Sequence, residues 1–164
     1  MTRPPRILIS AGEASGDHLG AGLARELRRL DPTVDLLGMG GEEMASAGVR
    51  VVQQAADVAV VGIVEVLRRL PAIRLAMARL TEAIEREAPD LVVPVDFPDF
   101  NLRLAARARR RGVPVVYFVS PSVWAWRRGR LRSIRADVRR MLVLYPFEVR
   151  FYEDAGIPVT FVGH

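Results

Sequence analysis

Short apolar runs alternate along this chain with segments whose apolar positions recur every three or four residues. Arg6–Ala11 (RILISA) reads as a buried strand, and His18–Leu30 as a helix carrying Leu19, Leu23, Leu27 and Leu30 on one face. Val34–Met39 is a second strand, after which Gly40 and Gly41 turn the chain into a short helix. Between Val49 and Val61 two brief strand-like runs, VRVV and VAVV, flank a polar turn. Ile63–Ala88 has helical period, with a break or kink expected at Pro71, because proline removes a helix hydrogen bond and crowds the previous turn. DLVVPV is then a strand, FNLRLAARARRRG a helix closed by Gly112, VPVVYFVS a strand and RGRLRSIRADV a helix. RRMLVLY follows as a strand, PFEVRFYEDAG as a helix with proline in its first turn, and PVTFVG as a last strand.

Strands that are apolar nearly throughout, separated by helices, imply a parallel sheet covered on both faces. The expected fold is therefore α/β, a doubly wound Rossmann-like domain, and a length of 164 residues fits one such domain over 1–164. Ligands of these sheets sit beyond the carboxyl ends of the strands. That rule singles out the loops GEASGD, GMGGEE, DFPDFN, SPSVWAW and YPFE.

Composition removes several chemistries. The chain has no cysteine and only two histidines, His18 and His164, so disulfides and thiolate sites are excluded and no metal site is expected. All 24 basic residues are arginine, against 19 acids, giving a formal charge of +5. Clusters at Arg109–Arg111, Arg127–Arg128 and Arg139–Arg140 suit phosphate or an anionic surface, but arginines at helix ends are also ordinary solvated faces. Nucleic-acid binding would need one continuous basic face and steep salt dependence, and no nucleic-acid partner is expected. The opening MTRPPRILISAGEASGD reaches glycine and acids too soon for a secretory signal, and no apolar stretch is long enough to span a bilayer. The expectation is a cytoplasmic protein whose membrane contact, if any, is peripheral.

Of the selected loops, GEASGD lacks a full GxGxxG fingerprint, so no nicotinamide cofactor is expected. Gly12 and Gly16 permit close ligand approach to the backbone, while Ser15 and Asp17 fit the capping of the following helix. Glu13 occupies no obvious capping position: it is either a group that orients a sugar hydroxyl or an ordinary exposed loop glutamate. In DFPDFN, Asp96 ends its strand, Pro98 stiffens the turn, and Asp99 precedes Phe100, Asn101 and a helix. A carboxylate there suits a general base; the alternative is Asp99 as N-cap with Asp96 satisfying loop amides. Trp124 and Trp126 can stack on a ligand or anchor their loop, and Glu148 is accounted for by the helix dipole. Val58–Pro71 is apolar beyond one helical face: it is core, or a surface that dips into an anionic bilayer beside Arg68 and Arg69.

Read together, ISAGEASGDHLGAGLARELR, GMGGEEMASAGV, VVGIVEVLRRLP, VDFPDFNLRLA, PVVYFVSPSVWAWRRGR and YPFEVRFYEDAGIPVTFVGH resemble, in order, the N-terminal half of the lipid-A-disaccharide synthase family. The resemblance implies the N-terminal, acceptor-side domain of an inverting GT-B glycosyltransferase without a DxD-type metal site or other cofactor. Such an enzyme joins UDP-2,3-diacylglucosamine to 2,3-diacylglucosamine 1-phosphate, releasing UDP and forming the β-1,6-linked precursor of lipid A. Asp99 matches the family's base, Asn101 belongs to the same motif, and Gly12, Glu13, Ser15, Gly16, Asp17 and Asp96 would line the cleft. Val61, Ile63, Val64, Val66 and Leu67 match the segment associated with membrane docking, at the inner membrane of a Gram-negative-type bacterium. A C-terminal UDP-binding domain, absent from these residues, is expected to complete the enzyme, and this half alone to be inactive. The alternative is a non-catalytic Rossmann-like module that binds a nucleotide-sugar or phospholipid, with Asp99 a helix cap.

Overall fold

The computed structural model describes residues 3–59, 63–121 and 129–163, and within these the side chains of residues 63–68 are not described. Its strands are β1 (Arg6–Ala11), β2 (Asp35–Gly40), β3 (Arg50–Gln54), β4 (Leu91–Val95), β5 (Val116–Phe118), β6 (Arg140–Val143) and β7 (Val159–Phe161). The helices are α1 (Ala14–Leu30), α2 (Glu42–Ser46), α3 (Ile63–Glu87), α4 (Pro98–Arg110), α5 (Arg130–Asp137) and α6 (Pro146–Asp154). All strand pairs are parallel, in the order β3-β2-β1-β4-β5-β6-β7. The doubly wound architecture expected from the alternating runs is the one observed.

The pleat of the central strands sorts their side chains onto two faces. Leu8, Val92, Tyr117 and Met141 join Leu80 and Ile84 of α3, Leu104 of α4, Ile134 of α5 and Tyr152 of α6 in one buried cluster. Ile7, Ile9, Val93 and Val95 face the other way, onto Ala21 and Ala24 of α1 and Met44 of α2. Burial on both faces is why these strands are almost uninterrupted apolar runs. At the amino end of the sheet, Arg6 holds Asp35 at 2.5 Å and Glu87 at 2.9 Å, so that end is closed by ion pairs.

Several boundaries differ from the pattern. α1 starts at Ala14 rather than His18, because GEASGD contributes its second half to the first helical turn. The run VAVV begins at a buried Val58 that closes a single 3-10 turn over Ala55–Asp57, not a strand. α3 continues through Pro71, which lies on its exposed face, where one missing backbone hydrogen bond is tolerated. β5 stops at Phe118 because Val119 takes φ +67° and leaves the extended region.

Candidate functional site

The strand order reverses between β1 and β4, whose next connections leave in opposite directions. Beyond their carboxyl ends two loops therefore face each other: Gly12–Glu13 after β1, and Asp96–Phe97 after β4. They are in direct contact. A Cβ on Gly12 would lie 2.2 Å from Cδ1 of Phe97, so the first loop has its glycine because the second has its ring. The Phe97 ring in turn packs on Phe100, with centroids 5.8 Å apart.

Asp96 and Phe97 both have left-handed backbones, at φ +45° and +49°, and neither is glycine. Two such residues in succession store strain that the surroundings must hold. The restraints are specific. The Asp96 N–H donates to the Phe118 carbonyl at 3.0 Å, and the Asp96 carbonyl accepts from the Tyr117 hydroxyl at 2.6 Å and from Asn101 Nδ2 at 2.8 Å. Asn101 Nδ2 also donates to the carbonyls of Ser10 and Val95, at 3.0 and 3.2 Å, while its Oδ1 accepts from the Ser10 hydroxyl at 2.7 Å. Asn101 is wholly buried. It ties the end of β1 to the end of β4 and supports the loop, instead of presenting its amide to a ligand.

The acids differ in their surroundings. Asp96 is half-buried, and burial first, then the neighbouring negative charge of Glu13, pushes its carboxyl above the usual range. Glu13 is exposed and sits at the N-cap of α1 in an extended conformation, without a side-chain cap bond, so it does occupy a capping position. Ser15 is exposed in the first turn of α1, and Gly16 is buried, with 3.3 Å between its virtual Cβ and that of Ala11. Asp17 is buried and caps a different helix from its own. Its Oδ1 accepts from the amides of Gly41 (2.7 Å) and Met44 (3.2 Å), and its Oδ2 from Glu43 (3.1 Å), at the start of α2. Glu148, also buried, accepts the Tyr145 N–H at 3.1 Å.

Asp99 is the second residue of α4, whose N-cap is Phe97, so Asp99 is not the cap. Its side chain is 78% exposed and paired with the Arg130 guanidinium, which is only 19% exposed. Below them the Tyr117 hydroxyl is held well above its ordinary ionisation range. Burial is the largest cause, the negative charges of Asp96 and Asp99 add to it, and Arg130 opposes it. Tyr152 is pushed up to about 12 by burial and shares a 2.6 Å hydrogen bond with Ser120. The structure thus gathers Gly12, Glu13, Asp96 and Asp99 at the mouth of the sheet and places Asp17 and Asn101 behind it. Ser10, Phe97, Tyr117 and Arg130 were not singled out by the sequence. Tyr117 sits in an apolar strand and Arg130 among other arginines, so neither advertises a role.

Trp124 and Trp126, and the side chains of Val61, Ile63, Val64, Val66 and Leu67, lie outside the described residues. Among the described residues, no group of three or more His, Cys, Asp or Glu could hold a metal ion, and no helix is long and apolar enough to cross a membrane. Two concavities, of about 360 and 510 Å³, run along α3 beside β3 and are lined by Arg79, remote from the switch between β1 and β4.

A parallel sheet of this order, with its acidic loops at the reversal, defines the Rossmann-like unit of a GT-B-type fold. UDP-GlcNAc 2-epimerase from Neisseria meningitidis, bound to UDP-GlcNAc, shares it with a TM-score of 0.69 at 12% identity, over 97% of this chain and 46% of that one. MurG of Acinetobacter baumannii shares it with a TM-score of 0.57 at 13% identity, over 88% and 42% of the two chains. Within that class the sequence is decisive: residues 7–164 match the lipid-A-disaccharide synthetase profile, and the chain belongs to this family. The lipid-A-disaccharide synthase of Geobacter sulfurreducens is 55% identical over 159 residues, which are 97% of this chain and 41% of the relative. That of Myxococcus xanthus is 50% identical over 163 residues, 99% of this chain and 43% of the relative. The chain thus spans about two-fifths of the length of the curated relatives it matches.

Proposed function

We propose that this chain is the acceptor-side half of an inverting glycosyltransferase that joins UDP-2,3-diacylglucosamine to 2,3-diacylglucosamine 1-phosphate. The observation that carries the reading is Asp99: an exposed carboxylate at the carboxyl end of the sheet, one residue past the proline that starts α4, in a chain of this family. Asp99 takes the proton of the acceptor's 6-hydroxyl as that oxygen attacks the donor's anomeric carbon, and UDP leaves from the opposite face. Glu13 and Asp96, on the facing loops, contact sugar hydroxyls, and the backbone at Gly12 and Gly16 keeps the floor of the cleft low. The groups that bind and neutralise UDP belong to a second domain, a reading supported by the share of the relatives that this chain spans. Residues 1–164 alone then give no turnover. Acylated substrates place the protein at the cytoplasmic face of the inner membrane, held peripherally through Val61, Ile63, Val64, Val66 and Leu67.

The test is disaccharide formation by the full-length protein and its Asp99→Asn variant. Loss of a general base lowers turnover by about 10²–10⁴-fold. An Asp99→Asn protein that keeps the parental rate overturns the assignment of the base, and a parent that folds but forms no disaccharide overturns the reaction.

A further inference from the structure

β5 is only three residues long, yet its last two residues hold both backbone polar groups of Asp96. The Phe118 carbonyl accepts the Asp96 N–H at 3.0 Å, and the Tyr117 hydroxyl donates to the Asp96 carbonyl at 2.6 Å. The first bond fixes the peptide before Asp96. The second fixes the peptide between Asp96 and Phe97, the two left-handed residues from which α4 is launched. Asn101 Nδ2 donates to the same carbonyl at 2.8 Å, but from within α4, so it travels with the helix that the turn directs. Tyr117 is anchored in the sheet instead. Its side chain is wholly buried in the cluster that contains Phe100 and Leu104 of α4, which leaves the hydroxyl no room to swing away. Burial also holds this phenol well above its ordinary ionisation range, so it keeps the proton that it donates.

We infer that Tyr117 is a positioning residue: by pinning the Asp96–Phe97 peptide to the sheet, its hydroxyl sets the direction in which α4 starts, and with it the place where Asp99 meets the acceptor hydroxyl. Wholly buried, Tyr117 reaches no substrate itself and transfers no proton. It acts through the backbone. A left-handed pair without glycine relaxes toward ordinary backbone angles when its restraints weaken, and Pro98 and Asp99 follow directly on that pair. Misplacing a reacting group by about 1 Å costs up to about a hundredfold in rate. Asn101 keeps its bond to the carbonyl when the phenol is removed, so the turn loosens without being released and the loss is smaller than that limit.

This inference rests on Asp99 being the base, and a double-mutant cycle separates the two. Steady-state disaccharide formation is measured for the full-length protein and for Tyr117→Phe, Asp99→Asn, the Tyr117→Phe/Asp99→Asn pair and Ile84→Val. Phenylalanine keeps the ring in the core and removes only the hydroxyl. Ile84→Val is a core change at the end of α3 where Glu87 meets Arg6, at the opposite end of the sheet from the turn, and it should keep the parental rate. The expected result for Tyr117→Phe is a fall in kcat of about three- to thirtyfold, with KM for the acceptor changed less than threefold. In the Asp99→Asn background the same substitution should cost less than twofold, because there is no longer a base to aim. A smaller folded fraction would instead multiply with Asp99→Asn, so full multiplication in the pair overturns the inference. Parental kcat in Tyr117→Phe, or an equal fall in Ile84→Val, overturns it as well. Full activity in Asp99→Asn removes the base itself, which is a failure of the underlying reading and is seen in that single variant.

Discussion

The Ser10 hydroxyl donates to Oδ1 of Asn101 across 2.7 Å, from the penultimate residue of β1 to the first turn of α4, with both residues wholly buried. That contact and the three carbonyls on the Asn101 amide join β1, β4 and the Asp96 turn through a single carboxamide. Asn101→Ala strips partners from several buried groups at once. We expect it to cost about 3 kcal/mol of stability, since each orphaned buried polar group costs about 1–3 kcal/mol and the loop can relax toward water. Urea denaturation checks this; a loss under about 0.5 kcal/mol would mean that the carboxamide is not what holds the switch point.

Gly12→Ala brings a methyl into the space of the Phe97 ring. The ring belongs to a turn already strained, so relief comes by moving Asp96 and Asp99 rather than by a simple rotamer change. The expected outcome is a cost of about 1–3 kcal/mol from overpacking, with a fall in the disaccharide formation proposed for the full-length protein larger than the stability loss explains. Gly12→Ala combined with Phe97→Leu should regain stability. Recovery failing in the pair would show that the clash lies elsewhere.

Asp96 gives the protein a pH signature. Its folded carboxyl titrates above the ordinary value of 3.8, so the unfolded chain ionises first and folding carries a cost at neutral pH. That cost is complete above the elevated folded value and disappears as pH falls through it toward 3.8. Asp96→Asn removes the charge and also suits the left-handed backbone, a benefit independent of pH. The variant should therefore be more stable than the parent at pH 7, by a margin that shrinks toward pH 4. Denaturant midpoints at both pH values decide it, and a margin that is constant or grows on acidification contradicts the origin assigned to the shift.

The elements most legible in the sequence were those buried on two sides. β1 and β4 are apolar because both faces are covered, and the period of α1 is plain because only one of its faces meets the sheet. Harder to read were the places where a single residue answers to a distant neighbour. Val58 looks like strand sequence but fills the core after a 3-10 turn. Asp17 looks like a cap for its own helix, and it caps α2 because that helix's first amides lie beside it. Asp96 is of a type that tolerates a left-handed backbone, but nothing local marks Phe97 as left-handed, and here tertiary hydrogen bonds around the Asp96 carbonyl hold the turn. Arg130 is indistinguishable in sequence from the arginines around it, and its low exposure is a matter of tertiary packing that no local pattern reveals.

The neighbouring placement of β1 and β4 also has a consequence for the order in which the molecule is built. β2 follows β1 closely and can pair with it as soon as it leaves the ribosome, and β3 then adds to β2, whereas Ile9 must wait for Val93. Bringing together such distant stretches costs loop-closure entropy that local contacts do not. The two acidic loops therefore meet only when β4 docks, and a nascent chain stalled before that point has a partly formed sheet but no cleft.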